Sequence, residues 1–224
     1  MMNEGIRLLQ RGQYDRALQH LLNARVESPD YPELSYYLGL CYTHLGRHDE
    51  ALLYLEQVVT SELSFTHVYQ SRMILGYIYS VTGRFRLAEF EFRKLLEDGF
   101  DSARTHAALG YVLHAQGRLS DALGELERAI ELDSDNSNAL NSIGFILADT
   151  GTDARKAVEY CRKAVRRQPK NPAYLDSLGW AYYKLGRTDE ARDVLRQALE
   201  AAPGNKEIAA HLREVMHGPS GARK

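Results

Sequence analysis

The chain has 224 residues, 44% of them apolar and 26% charged, with a net charge of -2. That is enough for one extended or two compact domains of an ordinary folded protein, and the charge balance excludes a surface that attracts nucleic acid everywhere. Two cysteines far apart, Cys41 and Cys161, argue against a disulfide framework and fit a reducing compartment.

The opening stretch "MMNEGIRLLQRGQYDRA" has no basic segment followed by an apolar run, so it does not read as a secretory signal. No apolar run approaches the roughly 18 residues that a membrane span needs. The expected compartment is therefore the cytoplasm. It becomes the periplasm or a membrane surface if the chain is a piece of a longer exported or anchored protein.

Self-similarity organises everything that follows. Glycines recur at Gly5, Gly39, Gly76, Gly110, Gly144 and Gly179, in steps of 34, 37, 34, 34 and 35 residues. Each has a companion seven residues on: Gly12, Gly46, Gly83, Gly117, Gly151 and Gly186. Five residues after the companion stand Ala17, Ala51, Ala88, Ala122 and Ala191, with Ala157 joining them after a one-residue insertion. Prolines cluster at unit ends, where they stop or start helices. The pattern predicts an all-α chain of six helical hairpins, with units near 1–31, 32–65, 66–102, 103–136, 137–171 and 172–205. The first helix is short, about Met2–Arg11. The 37-residue step predicts a lengthened helix starting near Ser64. "NKEIAAHLREVMH" (Asn205–His217) predicts a capping helix over the last apolar face, closing a single array over 1–217. Residues 218–224 read as a disordered tail.

Leu178-Gly179, Tyr182, Gly186, Ala191, Ala198 and Pro203, with Leu38-Gly39, Tyr42, Gly46 and Ala51, resemble the signature of the tetratricopeptide repeat, a helix-turn-helix of 34 residues. The resemblance implies a right-handed superhelical solenoid. The structural positions are then Gly39, Gly76, Gly110, Gly144 and Gly179, where helices approach closely, and the small residues Ala51, Ala88, Ala122, Ala157 and Ala191 on the partner helix. The chain departs from the family in lacking its tryptophan four residues before the first glycine, where Ser35, Arg72, His106, Leu140 and Leu175 stand. Leu63, Phe100 and Ser134 replace the closing proline.

Catalytic chemistry is not visible. There is no phosphate-cradling glycine loop, zinc-type cysteine cluster or HExxH helix, so neither an enzyme, a cofactor nor a metal site is expected. His44 and His48 are four apart, but Gly46 breaks the helix between them. Cys161 reads as a core residue. "RKAVEYCRKAVRRQPK" (Arg155–Lys170) is locally basic, after a unit carrying Glu125, Glu127, Glu131, Asp133 and Asp135. These read as solvated outer helices, with docking of an acidic partner as the other reading.

The resemblance places a ligand on the inner face lined by the first helices. The residues following the first glycine are Ile6, Leu40, Tyr77, Tyr111, Phe145 and Trp180. With Tyr36, His114 and Tyr183 nearby, the expected partner-binding set is Tyr36, Leu40, Tyr77, Tyr111, His114, Phe145, Trp180 and Tyr183. Tyr and Trp dominate binding hot spots. The expected partner is a protein or peptide segment with apolar or aromatic anchors, held by a non-enzymatic scaffold or adaptor. The ungapped units resemble bacterial repeat proteins that assist envelope, secretion or motility complexes. The family's chaperone adaptors clamp a terminal carboxylate with Lys, Asn and Arg. Windows such as Met2, Ile6, Tyr37, Gln70 and Ile74, or Asn141, Phe145, Ser177, Glu207 and His211, lack that basic set. Three other readings stay open: an RNA-binding helical repeat, a regulatory domain of a larger protein, and burial of the aromatic row or its use in self-association.

Overall fold

A computed structural model describes residues 1–61 and 64–217; Leu63 and the tail 218–224 lie outside them. The described residues form thirteen α-helices, a 3-10 turn (Ser28–Asp30) and no strand. They divide into two compact units, Met1–Asp101 and Ser102–Lys224. The first unit holds α1 (Met2–Gln10), α2 (Tyr14–Leu22), α3 (Tyr31–His44), α4 (His48–Val59), α5 (Phe65–Val81) and α6 (Phe85–Glu97). The second holds α7 (Ala103–Ala115), α8 (Leu119–Leu132), α9 (Ser137–Asp149), α10 (Ala154–Arg167), α11 (Pro172–Lys184), α12 (Thr188–Ala201) and α13 (Lys206–His217).

Helix starts follow local chemistry. The side chains of Ser102, Asn136, Asp153 and Asn171 accept backbone N–H bonds in the first turns of α7, α9, α10 and α11, each removing an orphan donor. Pro172 sits in the first turn of α11, where its missing N–H costs nothing. The extra residues before Gly76 do lengthen a helix: α5 runs for 17 residues from Phe65, just after Ser64.

Gly179 and Gly186 show why two glycines recur. A Cβ added at Gly179 would lie 2.6 Å from Leu195 Cγ and 3.2 Å from the Ala191 carbonyl oxygen. Helix α12 therefore presses on α11 through that notch. The filler is the residue four beyond the alanine, and the same role falls to Leu21, Leu55, Phe92, Leu126 and Cys161 at the other first glycines. The alanines, fully buried, set the backbone separation that lets these larger side chains enter. Gly186 has φ +81°, the left-handed conformation that an L side chain resists. Around it Gly186 N–H donates to Tyr183 O at 2.9 Å and Arg187 N–H to Tyr182 O at 2.9 Å, the double closure of a Schellman cap. The next helix then starts two residues later.

Where the family's tryptophan is missing, polar pairs bridge the two helices of a hairpin. Arg72 Nη1 on α5 donates to Glu91 Oε2 on α6 at 2.8 Å, with the two side chains 14% and 10% exposed. His106 Nδ1 on α7 meets Glu125 Oε2 on α8 at 2.6 Å. Ser35 Oγ on α3 donates to Gln57 Oε1 on α4 at 3.1 Å. Burial raises the Glu91 carboxyl pKa, with Arg72 opposing that rise. In the last two hairpins Leu140 and Leu175 instead pack among apolar residues, beside Ala164 and Ala198 respectively.

Candidate functional site

Each unit carries its own share of the expected binding row, and the side chains differ sharply in access. Tyr77 on α5 is 55% exposed and Tyr111 on α7 is 52% exposed. Leu40, His114, Phe145 and Tyr183 are half-buried. Tyr36 is buried and Trp180 is only 5% exposed. The row is thus accessible at two tyrosines and covered at its tryptophan.

In the first unit, Tyr36 belongs to a small polar-aromatic cluster. Its hydroxyl donates to Gln70 Oε1. Its ring meets His67 edge-on at 4.5 Å and Tyr37 at 5.2 Å between centroids. Burial, helped by Tyr37, pushes its phenol pKa up. Tyr36 therefore remains a neutral donor, held by α5.

In the second unit, a chain of rings links four helices. His114 on α7 meets Phe145 on α9 edge-on at 5.9 Å. Phe145 lies 6.5 Å from His211 on α13, and His211 stacks on Trp180 of α11 at 4.4 Å and 21°. Trp180 also meets Tyr183 at 5.4 Å, and Lys184 Nζ lies 4.6 Å from its ring centroid. The indole N–H donates to Asp149 Oδ1 at 3.3 Å. His211 Nδ1 faces both oxygens of the buried Asp176 at 3.0 Å. Burial disfavours the charged imidazole, yet the hydrogen bond and charge of Asp176, with Glu207 and Glu214, outweigh it and raise the His211 pKa. His114 shifts the other way, lowered by burial against the opposing pull of Asp149.

His211 and Asp149 were not among the expected contact residues. The signal existed in the repeat itself: His211 lies 35 residues after Asp176, and Val215 lies 35 after Trp180. Helix α13 therefore continues the register of a first helix. It covers Trp180 as well as the apolar face of α12. Beside this cluster, Asn141 Oδ1 on α9 is buried without a hydrogen-bond partner, a state that costs free energy unless a ligand or water supplies a donor.

The arrangement offers contact surface and hydrogen bonding. Cys161 is fully buried against Gly144, and burial pushes its thiol up to about 12, far from the thiolate that reactivity requires. His44 on α3 stacks on Tyr14 at 4.3 Å, whereas His48 begins α4. Among the described residues no group of three or more His, Cys, Asp or Glu could hold a metal ion. No described helix is long and apolar enough to cross a membrane.

Comparison with known proteins agrees with this architecture. One tetratricopeptide repeat model matches residues 2–62 and 145–206, and a second TPR repeat model matches 101–151. A TPR repeat-containing protein of Pseudomonas aeruginosa is 46% identical over 68 residues, 30% of this chain. The match spans only 11% of that relative's length. A thermophilic TPR protein of Thermus thermophilus has a similar fold, with TM-score 0.66 and 20% identity over 83% of this chain and 98% of that one. YrrB, described as a TPR protein with an unusual peptide-binding site, gives TM-score 0.54 and 18% identity over 89% and 97%. MamA of Desulfovibrio magneticus gives 0.64 and 23% over 74% and 93%. Hairpin geometry, glycine notches and family matches lead to one conclusion: the chain belongs to the tetratricopeptide repeat family, whose fold typically serves non-enzymatic scaffolds that bind protein or peptide partners.

Proposed function

We propose that this chain is a non-enzymatic adaptor, acting as one array over 1–217, whose first-helix faces hold a polypeptide segment of a partner protein. In the first unit Tyr77 is the exposed anchor, with the half-buried Leu40; in the second it is Tyr111, with the half-buried His114, Phe145 and Tyr183. The observation that carries this reading is the exposure of those two tyrosines in the column just after the first glycine. A tyrosine offers a large, stiff, amphipathic contact area, and such residues supply most of the binding energy in measured interfaces. Tyr36 and Trp180 act one layer deeper, fixing the helices that present the surface.

The chemistry beside the aromatic row favours polypeptide over RNA. Asp149 holds the Trp180 indole N–H, and a net charge of -2 leaves no broad basic field to hold phosphate. The setting is assembly of a bacterial envelope, secretion or motility complex, from the cytoplasm or, in a longer exported protein, the periplasm. Affinity capture from source lysate, with native protein and a Tyr77→Ala/Tyr111→Ala variant of equal helicity by circular dichroism, tests the reading. A protein retained by the native bait and lost by the variant supports it. Equal retention by both, or nuclease-sensitive retention of RNA, contradicts it.

A further inference from the structure

Helix α10 differs from the other second helices of its unit. From Ala154 to Lys170 the chain holds seven basic residues and one acidic residue, in a molecule of net charge -2. At about 100° per residue, Arg155, Lys156, Arg162, Lys163, Arg166 and Arg167 fall on one exposed arc. Ala157, Val158, Cys161 and Ala164 take the opposite, buried side. Glu159 sits within the arc as its lone carboxylate.

Most arginines elsewhere in the unit are neutralised locally, Arg104 and Arg213 excepted. On α12, Arg192 pairs with Asp189 at 3.2 Å and Arg196 with Asp193 at 4.0 Å. On α8, Arg128 pairs with Glu131 at 3.1 Å. On α10, Arg162 Nε donates to the Tyr182 hydroxyl at 2.8 Å and Arg167 pairs with Asp135. Lys156 lies 3.9 Å from Asp153. Among the described residues, no carboxylate reaches Arg155, Lys163 or Arg166. Three cations along one face of the helix thus form no ion pair, with Glu159 between Arg155 and Lys163 as the one carboxylate among them, and the net positive field attracts an acidic ligand.

The flanks decide what kind. Asp135 lies on one side, paired with Arg167. Glu190 lies on the other, its carboxyl pKa lowered chiefly by the Arg187 hydrogen bond and further by the charge of Arg162. The positive stripe is therefore about one helix wide, roughly 10–12 Å, between acidic edges. A duplex nucleic acid or a lipid surface laid on it would press phosphates against those edges. A single strand of RNA would want stacking platforms, and the stripe offers only the half-buried Tyr160, with Lys163 Nζ 5.7 Å from its ring centroid. A narrow acidic polypeptide satisfies both the stripe and its borders.

We propose that the outward face of α10 is a second docking surface, for an acidic polypeptide segment of a partner protein. The surface is separate from the tyrosine row, so either reading can fail alone. The probe is a fluorescein-labelled peptide of about 15 residues, some four turns, with glutamates at every third or fourth position. The full chain is titrated against it by fluorescence anisotropy at low and physiological salt. Native protein binds, and the affinity falls as salt rises. Arg155→Glu/Lys163→Glu/Arg166→Glu weakens binding by about tenfold or more, whereas Arg192→Glu/Arg196→Glu and Tyr77→Ala/Tyr111→Ala change it by less than about twofold. Glutamine replacements at the same three positions stand in if reversal lowers the helicity, with the same criterion. Oligouridine of equal length and phosphatidylserine vesicles bind more weakly than the peptide. The proposal is overturned if the native chain fails to bind, if the triple variant binds like native, or if oligouridine or vesicles bind more tightly.

Discussion

Tyr77 on α5 and Trp180 on α11 each follow the first glycine of their hairpin, yet Tyr77 is 55% exposed and Trp180 5%. Both hairpins share the glycine notch, filled by Phe92 in one and Leu195 in the other. The difference lies in what each hairpin adds. Trp180 lies under His211, is approached by Lys184 and donates to Asp149. The α5–α6 hairpin instead invests its polar groups inward, in Arg72 and Glu91. One repeat register can thus assign the same column to the core or to the surface. The column alone does not define a binding site.

The comparison breaks most visibly at Trp180. Trp180→Ala removes a buried indole, its stacking contact with His211 and its hydrogen bond to Asp149, and should cost about 3–5 kcal/mol, read from chemical denaturation. Arg72→Ala should cost nearly as much, about 3 kcal/mol, because it strands the buried Glu91 carboxylate. The double variant Arg72→Met/Glu91→Leu should recover most of that loss, showing that the pair costs more to break than to replace. Gly179→Ala should cost about 2 kcal/mol, since its Cβ would overlap Leu195 and crowd the Ala191 carbonyl. Tyr77→Ala should stay within about 0.5 kcal/mol of native, the contrast with Trp180 that the comparison demands.

The smallest expected effect is a pH dependence carried by His211. Its folded pKa lies above the ordinary value of 6.5 because of Asp176. The folded state therefore binds the proton more tightly than the unfolded chain. This stabilisation is fully present below pH 6.5 and is lost as pH rises through the folded value. Melting curves across that range should show native protein losing stability relative to Asp176→Asn as pH rises. Parallel curves would remove the Asp176–His211 contact from the account.

Much of the fold was legible because it is written locally. A left-handed glycine, an alanine five residues on and a cap residue each act within a turn or two, so their spacing survives in the sequence. The start of α5 beside Ser64 could be read from the 37-residue step for the same reason. The burial of Trp180 was harder, because it depends on which side chain α13 delivers 35 residues after Asp176. The Arg72–Glu91 and His106–Glu125 pairs, each 19 residues apart across a hairpin, had a signal in matched charge at a fixed offset. That offset becomes meaningful only when the two helices are known to face each other.

The most direct test of the central claim places a photoreactive phenylalanine derivative at position 77, 111 or 53, one site per variant. Leu53 on α4 is 59% exposed but stands outside the tyrosine column, so it controls for exposure alone. With the source lysate present, irradiation should join the same partner protein to positions 77 and 111 and leave position 53 unreacted. Equal labelling at all three, or labelling at 53 alone, would contradict the claim that the tyrosine row holds the partner.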